Sequence, residues 1–524
     1  MPRRIAIIGG GISGLAAAHR LVELSQKSGE TIEILLLEAS QRIGGVISSI
    51  AQHGFLLEGG PDSFLSEKPW GVDLCKRLGL EKELIGTDPN CRRSFVATGK
   101  KLLAVPEGFQ LLAPARLWPF ATSPIFSIGG KIRMACDLII PRRKRNKGDD
   151  ETLAEFVRRR LGQECLERIA QPMVAGIYAA DPEKLSLQAT MPRFIQMEEK
   201  HRSLILAMRA AIREQQKKAS ASRRGPIRRH WFKSDGRADL ESGTPLARTD
   251  GAHGDPSAST RGLSGGRSES SSDSFPLTAN GPRYGLFLSL KNGMESLVKT
   301  LASRLPEGSI RCGMPVAGLE RGPAGLKWKI KIDGGGTFEV DAVCIALPAH
   351  HSARLVERFD EPLAADLKQI PYGASATMNL IYRRSDIQHP LNGFGFVCPA
   401  IEKRSLLACS FSSVKFAGRA PKGSVLLRAF ISGELQPERE TAVLKDLGEL
   451  LGIAVPPQFV SVARHAGSMA HYHKGHLQRV RSIEEKLLRH ASLALAGNAF
   501  RGIGIPDCIH SGELAAENIL RQKL

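Results

Sequence analysis

"RRIAIIGGGISGLAAAHRL" (residues 3–21) decides the fold. An apolar run from Ile5 to Ile8 enters three glycines, and an alanine-rich helical pattern follows. Gly9, Gly11 and Gly14 stand at G-x-G-x-x-G spacing, after a strand and before a helix. Gly9 permits the tight turn, Gly11 lets backbone approach a pyrophosphate, and Gly14 lets the helix pack closely on the sheet. Ile12 and Ser13 open that helix, whose first N–H groups lack partners and suit phosphate oxygens. The next strand, "TIEILLLE" (31–38), ends on Glu38. Its carboxylate can accept from both hydroxyls of an adenosine ribose and would repel a 2′-phosphate. Strand, glycine turn, helix, strand and acid predict a dinucleotide-binding α/β lobe.

Two stretches downstream extend this reading. "EASQRIGG" (38–45) offers Arg42 and Gly45, with Val46 next, and "LEGGPDSF" (57–64) offers Gly59, Gly60 and Pro61. Both would let more backbone approach an extended ligand, although plain turn chemistry uses the same residues. At the far end, "LALAGNAFRGIGIPDCIHSGELAAENIL" (493–520) reads as a buried strand, a glycine loop and a helix opening near Pro506. Asp507 suits the positive end of that helix. A C-terminal strand and helix returning to the nucleotide lobe is hard to explain for NAD alone. A helix N-terminus aimed at a flavin ring would favour negative charge on its reduced form.

Composition bounds the rest. The chain has 524 residues, 42% of them hydrophobic, which is enough for a large core in two or three lobes. No apolar run approaches the roughly 20 residues of a membrane span, and no cleavable signal is apparent before the first strand. Nine cysteines, without a C-x-x-C pair, suit buried thiols in a reducing compartment and not a zinc site or disulfide framework. The net charge of +20 gathers at "PRRKRNK" (141–147), "VRRRLG" (157–162) and "SRRGPIRRHWFK" (222–233). No nucleic-acid motif accompanies these clusters. A solvated face, an anionic membrane or an anionic substrate is left. From Gln215 to Pro282 the composition falls to Ser, Gly, Arg and Asp, which reads as a disordered surface insertion.

Six stretches together resemble the protoporphyrinogen oxidase family of the flavin amine oxidase-like group: "GGGISGLAAAHRL", "LEASQRIGG", "EGGPDSF", "VAGIYAADPEKLSLQATMP" (174–192), "GFGFVCP" (393–399) and "LAGNAFRGIGIPDCIHSG" (495–512). The first and last are shared with amine oxidases and phytoene desaturases and specify only FAD. The resemblance implies an α/β fold with an FAD-binding Rossmann-like domain, a mixed-sheet substrate domain and a helical membrane-associating domain. Residues 1–88, 283–350 and 481–524 would form the FAD domain, 89–214 the helical domain and 351–480 the substrate domain. FAD would meet the N-terminal motifs, Val316 on its adenine side, and Ile503, Gly504 and Ile505 at its ring.

The activity implied is the six-electron oxidation of protoporphyrinogen IX to protoporphyrin IX with O2 as acceptor. Coproporphyrinogen III is the alternative substrate, and a flavin amine oxidase, a carotenoid desaturase or a non-catalytic nucleotide-fold module are rivals. Positioning carries such catalysis, because the leaving hydride sits between pyrroles that delocalise the charge. Met173 and Gly176 match family positions against the macrocycle. Phe394, Val397 and Phe430 match the opposite wall, with ordinary strand core as their plainer role. Either Arg92 or Arg93, the latter preferred, matches the family's propionate-binding arginine, whose planar fork suits a carboxylate. Phe109, Trp118, Phe120, Ile125 and Phe126, beside a basic cluster, suit shallow docking on an anionic bilayer. The enzyme is then expected in the cytoplasm, attached peripherally to the membrane, and a homodimer is among the assemblies left open. His471, His473 and His476 in "AHYHKGHLQ" invite a metal reading, but no cysteine or carboxylate stands nearby, and no metal is expected.

Overall fold

The computed structural model describes residues 2–91, 93–110, 113–114, 116–146, 148–223, 287–322 and 327–521. Strand β1 (Arg3–Ile8) lies at the centre of a parallel sheet. It pairs with β2 (Ile32–Leu37) on one side and with Ala342–Ile345 on the other. Ile310–Arg311 and Leu493–Leu495 complete five strands. Helices cover both faces, so Ile5, Ala6, Ile7 and Ile8 are all buried and the strand reads as a continuous apolar run. Helix α1 (Ile12–Ser28) and the terminal helix Ile505–Arg521 pack together on one face. Gly512 makes their approach close: a Cβ there would stand 2.1 Å from the Ser13 carbonyl oxygen. Arg20 adds an ion pair to Glu517 at 2.6 Å, and Arg77 pairs with both Glu23 and Glu513. Residues nearly 500 positions apart thus form one lobe.

A second sheet of seven strands runs in the order Phe459–Ala470, Tyr372–Arg383, Ser424–Ser432, Ala408–Phe411, Gly395–Val397, Ser94–Thr98, Lys101–Ala104. Only Gly395–Val397 with Ser94–Thr98 is parallel. Ser94–Thr98 and Lys101–Ala104 lie in a segment expected to be mostly helical, yet they finish this sheet's edge. Side chains alternate across it. Phe396, Cys409, Ala429 and Met378 enter an apolar core, whereas Val397, Ala408, Phe430 and Thr377 form a row on the opposite face.

The helical part places Gln171–Tyr178 near Gly395–Val397 of this sheet. Three expectations need correction here. The insertion was expected to begin at Gln215, but the helix that starts at Leu204 continues to Arg223. The remainder of that stretch, from 224, lies outside the described residues. The basic clusters are also partly turned inward. Arg145 and Arg159 pair with the buried Glu151 and Glu198, and Arg160, itself fully buried, pairs with Asp137 at 2.5 Å. Finally, Phe120, Ile125 and Phe126 are buried, and Phe109 packs on Phe126 with ring centroids 6.0 Å apart. These side chains belong to the core of the helical region, with Met134, Phe156 and Phe194. Between residues 117 and 139 the exposed large apolar residues are Trp118 (79%), Ile128 (77%), Ile139 (74%), Ile132 (63%) and Leu117. Among the described residues no helix is long and apolar enough to cross a membrane.

Candidate cofactor and substrate site

The glycine turn has the shape its spacing predicts. Gly9 has φ 108°, and a Cβ there would lie 2.5 Å from the Ala346 carbonyl oxygen. At Gly14 it would lie 1.9 Å from the Gly9 carbonyl oxygen, while at Gly11 it would meet nothing within 4 Å. The first and third glycines are therefore packed and the second faces open space, as a pyrophosphate requires. No side chain caps the N-terminus of α1. Ile12 and Ser13, the first residues of α1, are largely buried in the lobe. Glu38 sits beside the turn: one carboxylate oxygen accepts from Gly10 N–H at 2.7 Å, and the other from Ser40 N–H at 2.9 Å.

The second loop lies against the first, with Gly44 N–H donating to the Gly10 carbonyl at 2.8 Å. Arg42 folds over this loop and donates to the carbonyls of Ile43, Gly45 and Ile47. Its role here is to shape the loop. Gly45 has φ 58°, and Val46 is 41% exposed. Gly60 packs on the Val46 carbonyl, where a Cβ would come within 1.8 Å, and a Cβ at Gly59 would meet Ser48 Oγ at 2.3 Å. Pro61 follows, half-buried. Gly60 is buried, yet among the described residues its N–H finds no acceptor. That donor, the open space at Gly11 and the uncapped helix all fit an extended dinucleotide.

Val316 lies beside the Glu38 end, because Met314 N–H and Gly313 N–H donate to the carbonyls of Glu38 and Ser40. Ile503 and Gly504 are half-buried and lead into the buried Ile505 at the start of the terminal helix. Asp507 accepts from Gly504 N–H and is held by Lys68 at 2.6 Å. The loop before it is braced by residues that sequence reading missed. The Tyr372 hydroxyl donates to Asn498 Oδ1, and the Tyr472 hydroxyl donates to the Asn498 carbonyl and accepts from Gly502 N–H. His476 Nε2 lies 2.8 Å from the Phe500 carbonyl, with its ring stacked on Tyr472 at 3.9 Å. Of the three histidines, His476 thus has a bracing task. Tyr472 set among the histidines of "AHYHKGHLQ" was the available signal. Among the described residues no group of three ligating side chains could hold a metal.

Of the expected substrate residues, Gly176 is exposed, and a Cβ on it would come only to 4.0 Å from the Ala408 side chain. Ala408 is paired with Val397 and with Phe430 in the row described above. Met173, on the same helix as Gly176, is buried in the helical core that Val397 also packs against. Phe394 is buried, and its N–H donates to the Arg93 carbonyl at 2.7 Å. Arg93 itself is exposed, and Arg92 lies outside the described residues. Tyr178 ends the Gly176 helix and donates to the Thr190 carbonyl. Burial, with Asp507 adding to it, pushes its phenol up to about 12.

A parallel sheet with a glycine turn, closed by both ends of the chain, has the architecture of a Rossmann-like lobe. The chain belongs to the family described as flavin containing amine oxidoreductase, which it matches over residues 12–520. It is an oxidoreductase of the porphyrinogen-oxidase type. It is 31% identical to a coproporphyrinogen III oxidase of Bacillus subtilis, over 99% of this chain and 98% of that one. A protoporphyrinogen oxidase of Bos taurus is 28% identical, over 99% of both. The solved structure of a putative protoporphyrinogen oxidase from Exiguobacterium sp. 255-15 superposes with a TM-score of 0.77 at 27% identity, covering all of both chains.

Proposed function

We propose that this chain is an FAD-dependent oxidase that converts coproporphyrinogen III to coproporphyrin III with O2 as acceptor, in tetrapyrrole synthesis. Protoporphyrinogen IX, the substrate expected first from the sequence motifs, is the second reading. The observation that carries the choice is the likeness to the Bacillus subtilis coproporphyrinogen III oxidase along nearly the full length of both chains. Two further relatives at 30% and 27% identity, from Propionibacterium freudenreichii and Staphylococcus aureus, carry the same name.

FAD, when bound, supplies a two-electron acceptor that O2 can reoxidise. The residues proposed to hold it are those of the glycine turn, Glu38, the 42–46 loop, the 59–61 strip, Val316 and 503–505. The chain's remaining task is to hold a large flat ring in place. Gly176 stands beside Ala408, which with Val397 and Phe430 offers an apolar wall to the macrocycle. Arg93 would pair with a propionate through its planar fork. Lys68 is 41% exposed at its side chain beside Asp507, and it is a candidate for one of the extra propionates that coproporphyrinogen carries. The exposed set Leu117, Trp118, Ile128, Ile132 and Ile139 would rest on an anionic membrane surface.

The test offers purified enzyme both porphyrinogens anaerobically prepared and follows porphyrin fluorescence on admission of air. A kcat/KM at least about tenfold higher for coproporphyrinogen III is expected, corresponding to roughly 1.4 kcal/mol. A preference for protoporphyrinogen IX would overturn the choice of substrate. Absence of porphyrin fluorescence with either would overturn the whole assignment.

A further inference from the structure

The strip from Glu58 to Asp62 gives its carbonyls to side chains from elsewhere in the fold. Asn379 Nδ2 donates to the Glu58 carbonyl at 3.0 Å, Thr377 Oγ1 to that of Gly59 at 3.0 Å, and Arg428 Nη2 to that of Gly60. Ser289 Oγ donates to the Asp62 carbonyl at 2.6 Å, and His465 Nε2 lies 3.0 Å from the Gly59 carbonyl. Asn379 and Arg428 are paired residues of neighbouring strands, as are Thr377 and Phe430, so all four project from one face of the seven-stranded sheet. Arg428 is only 2% exposed. Its Nη1 lies 3.7 Å from Asp62, and its guanidinium carbon stands 4.9 Å from the centroid of the Phe430 ring. Burial alone would raise the Asp62 carboxyl, but Lys415 and Arg428 beside it hold it well below the usual range.

Peptide planarity converts these contacts into an orientation. A trans peptide points its N–H away from its C=O. Fixing the Gly59 carbonyl on the sheet therefore turns the Gly60 N–H to the other side, where no described protein acceptor meets it. We propose that Asn379, Thr377 and Arg428 are positioning residues that fix the cofactor-facing strip, and that Arg428 ties its place to the Phe430 wall of the substrate cavity. The inference rests on the reading that the 59–61 strip borders FAD. A guanidinium suits the task because separate nitrogens of one planar group reach Gly60 and Asp62 while the plane lies over an aromatic ring.

The experiment strips flavin from wild type, R428K, R428M and the double variant T377V/H465A, then measures FAD dissociation constants, the visible spectrum of bound flavin, and KM for the porphyrinogen. R428M is expected to bind FAD about tenfold or more weakly, with a shifted spectrum and a raised KM, and R428K is expected to recover FAD affinity more than KM. T377V/H465A leaves the Gly59 carbonyl without its donors and should weaken FAD several-fold without touching the arginine. A purely structural role would lower melting temperature but leave affinity and spectrum of the folded protein unchanged. Wild-type FAD affinity and spectrum in any of these folded variants overturns the proposal, and the double variant keeps it open to refutation where the arginine variants fail to accumulate. Wild-type protein that takes up no FAD would instead sink the reading beneath it.

Discussion

Substituting Gly512 by alanine tests the joint between the two ends of the chain. The added methyl would stand 2.1 Å from the Ser13 carbonyl oxygen, 3.0 Å from the Ser13 carbonyl carbon and 3.1 Å from the Ala17 nitrogen. All three are backbone atoms, so no side chain can swing away. Carbon needs roughly 3.5 Å to reach favourable contact, and α1 and the terminal helix must part by about 1 Å. Overpacking of this kind costs about 1–3 kcal/mol. Alanine in a helix returns about 1 kcal/mol over glycine, which leaves a net loss of up to about 2 kcal/mol. Ser13 is in the first turn of α1, so its displacement also moves the amides that would face the pyrophosphate. Weakening one charge-assisted hydrogen bond there lowers FAD affinity about tenfold or more. Differential scanning fluorimetry with and without FAD, together with titration of the apoprotein, reads both effects. Gly86→Ala is the control, because a Cβ there meets nothing within 4 Å. A G512A protein as stable as wild type, with unchanged FAD affinity, would refute the packing argument.

Arg160→Met leaves Asp137 charged and fully buried without its ion-pair partner, and urea unfolding should register a loss of about 3–5 kcal/mol. His476 is fully buried, and burial lowers its pKa to about 4, outweighing the hydrogen bond to the Phe500 carbonyl. A folded pKa below the unfolded one, about 6.5, means the unfolded chain binds more protons, so this contribution is complete above pH 6.5 and is lost as pH falls towards 4. The loss is on the order of 3 kcal/mol, and H476Q should flatten the slope of stability between those pH values in urea titrations. Ile128→Glu combined with Ile132→Glu, at side chains 77% and 63% exposed, should lower co-sedimentation with anionic vesicles several-fold and leave FAD content unchanged. Equal sedimentation of that variant and wild type would remove this face as the docking surface.

The Rossmann-like half of the fold was legible because its geometry is local. Gly9, Gly11, Gly14 and Glu38 act within one strand–helix–strand unit, where spacing along the chain is nearly spacing in space. The return of the C-terminal segment was also readable, since "GNAFRGIGIPD" is again a strand, loop and helix start. Other features depend on partners that the local pattern does not name. Arg145, Arg159 and Arg160 count as surface charge in a linear reading, yet Glu198 and Asp137, tens of residues away, draw them inside. Phe120, Ile125 and Phe126 have the composition of a membrane face and pack on one another instead. The bracing by Tyr372, Asn379, Thr377 and Arg428 was invisible for the same reason, because an isolated polar residue in a strand carries no mark of the partner it will meet.

By itself the sequence determined the glycine turn, the acid that follows it and the terminal helix, because hydrogen bonding and steric limits within a few residues decide them. Tertiary structure alone decided which charges are buried, which apolar side chains stay exposed, and which strands orient the 58–62 strip. Those outcomes depend on the proximity of groups far apart in the chain, and burial gives them their energy by removing water from between them.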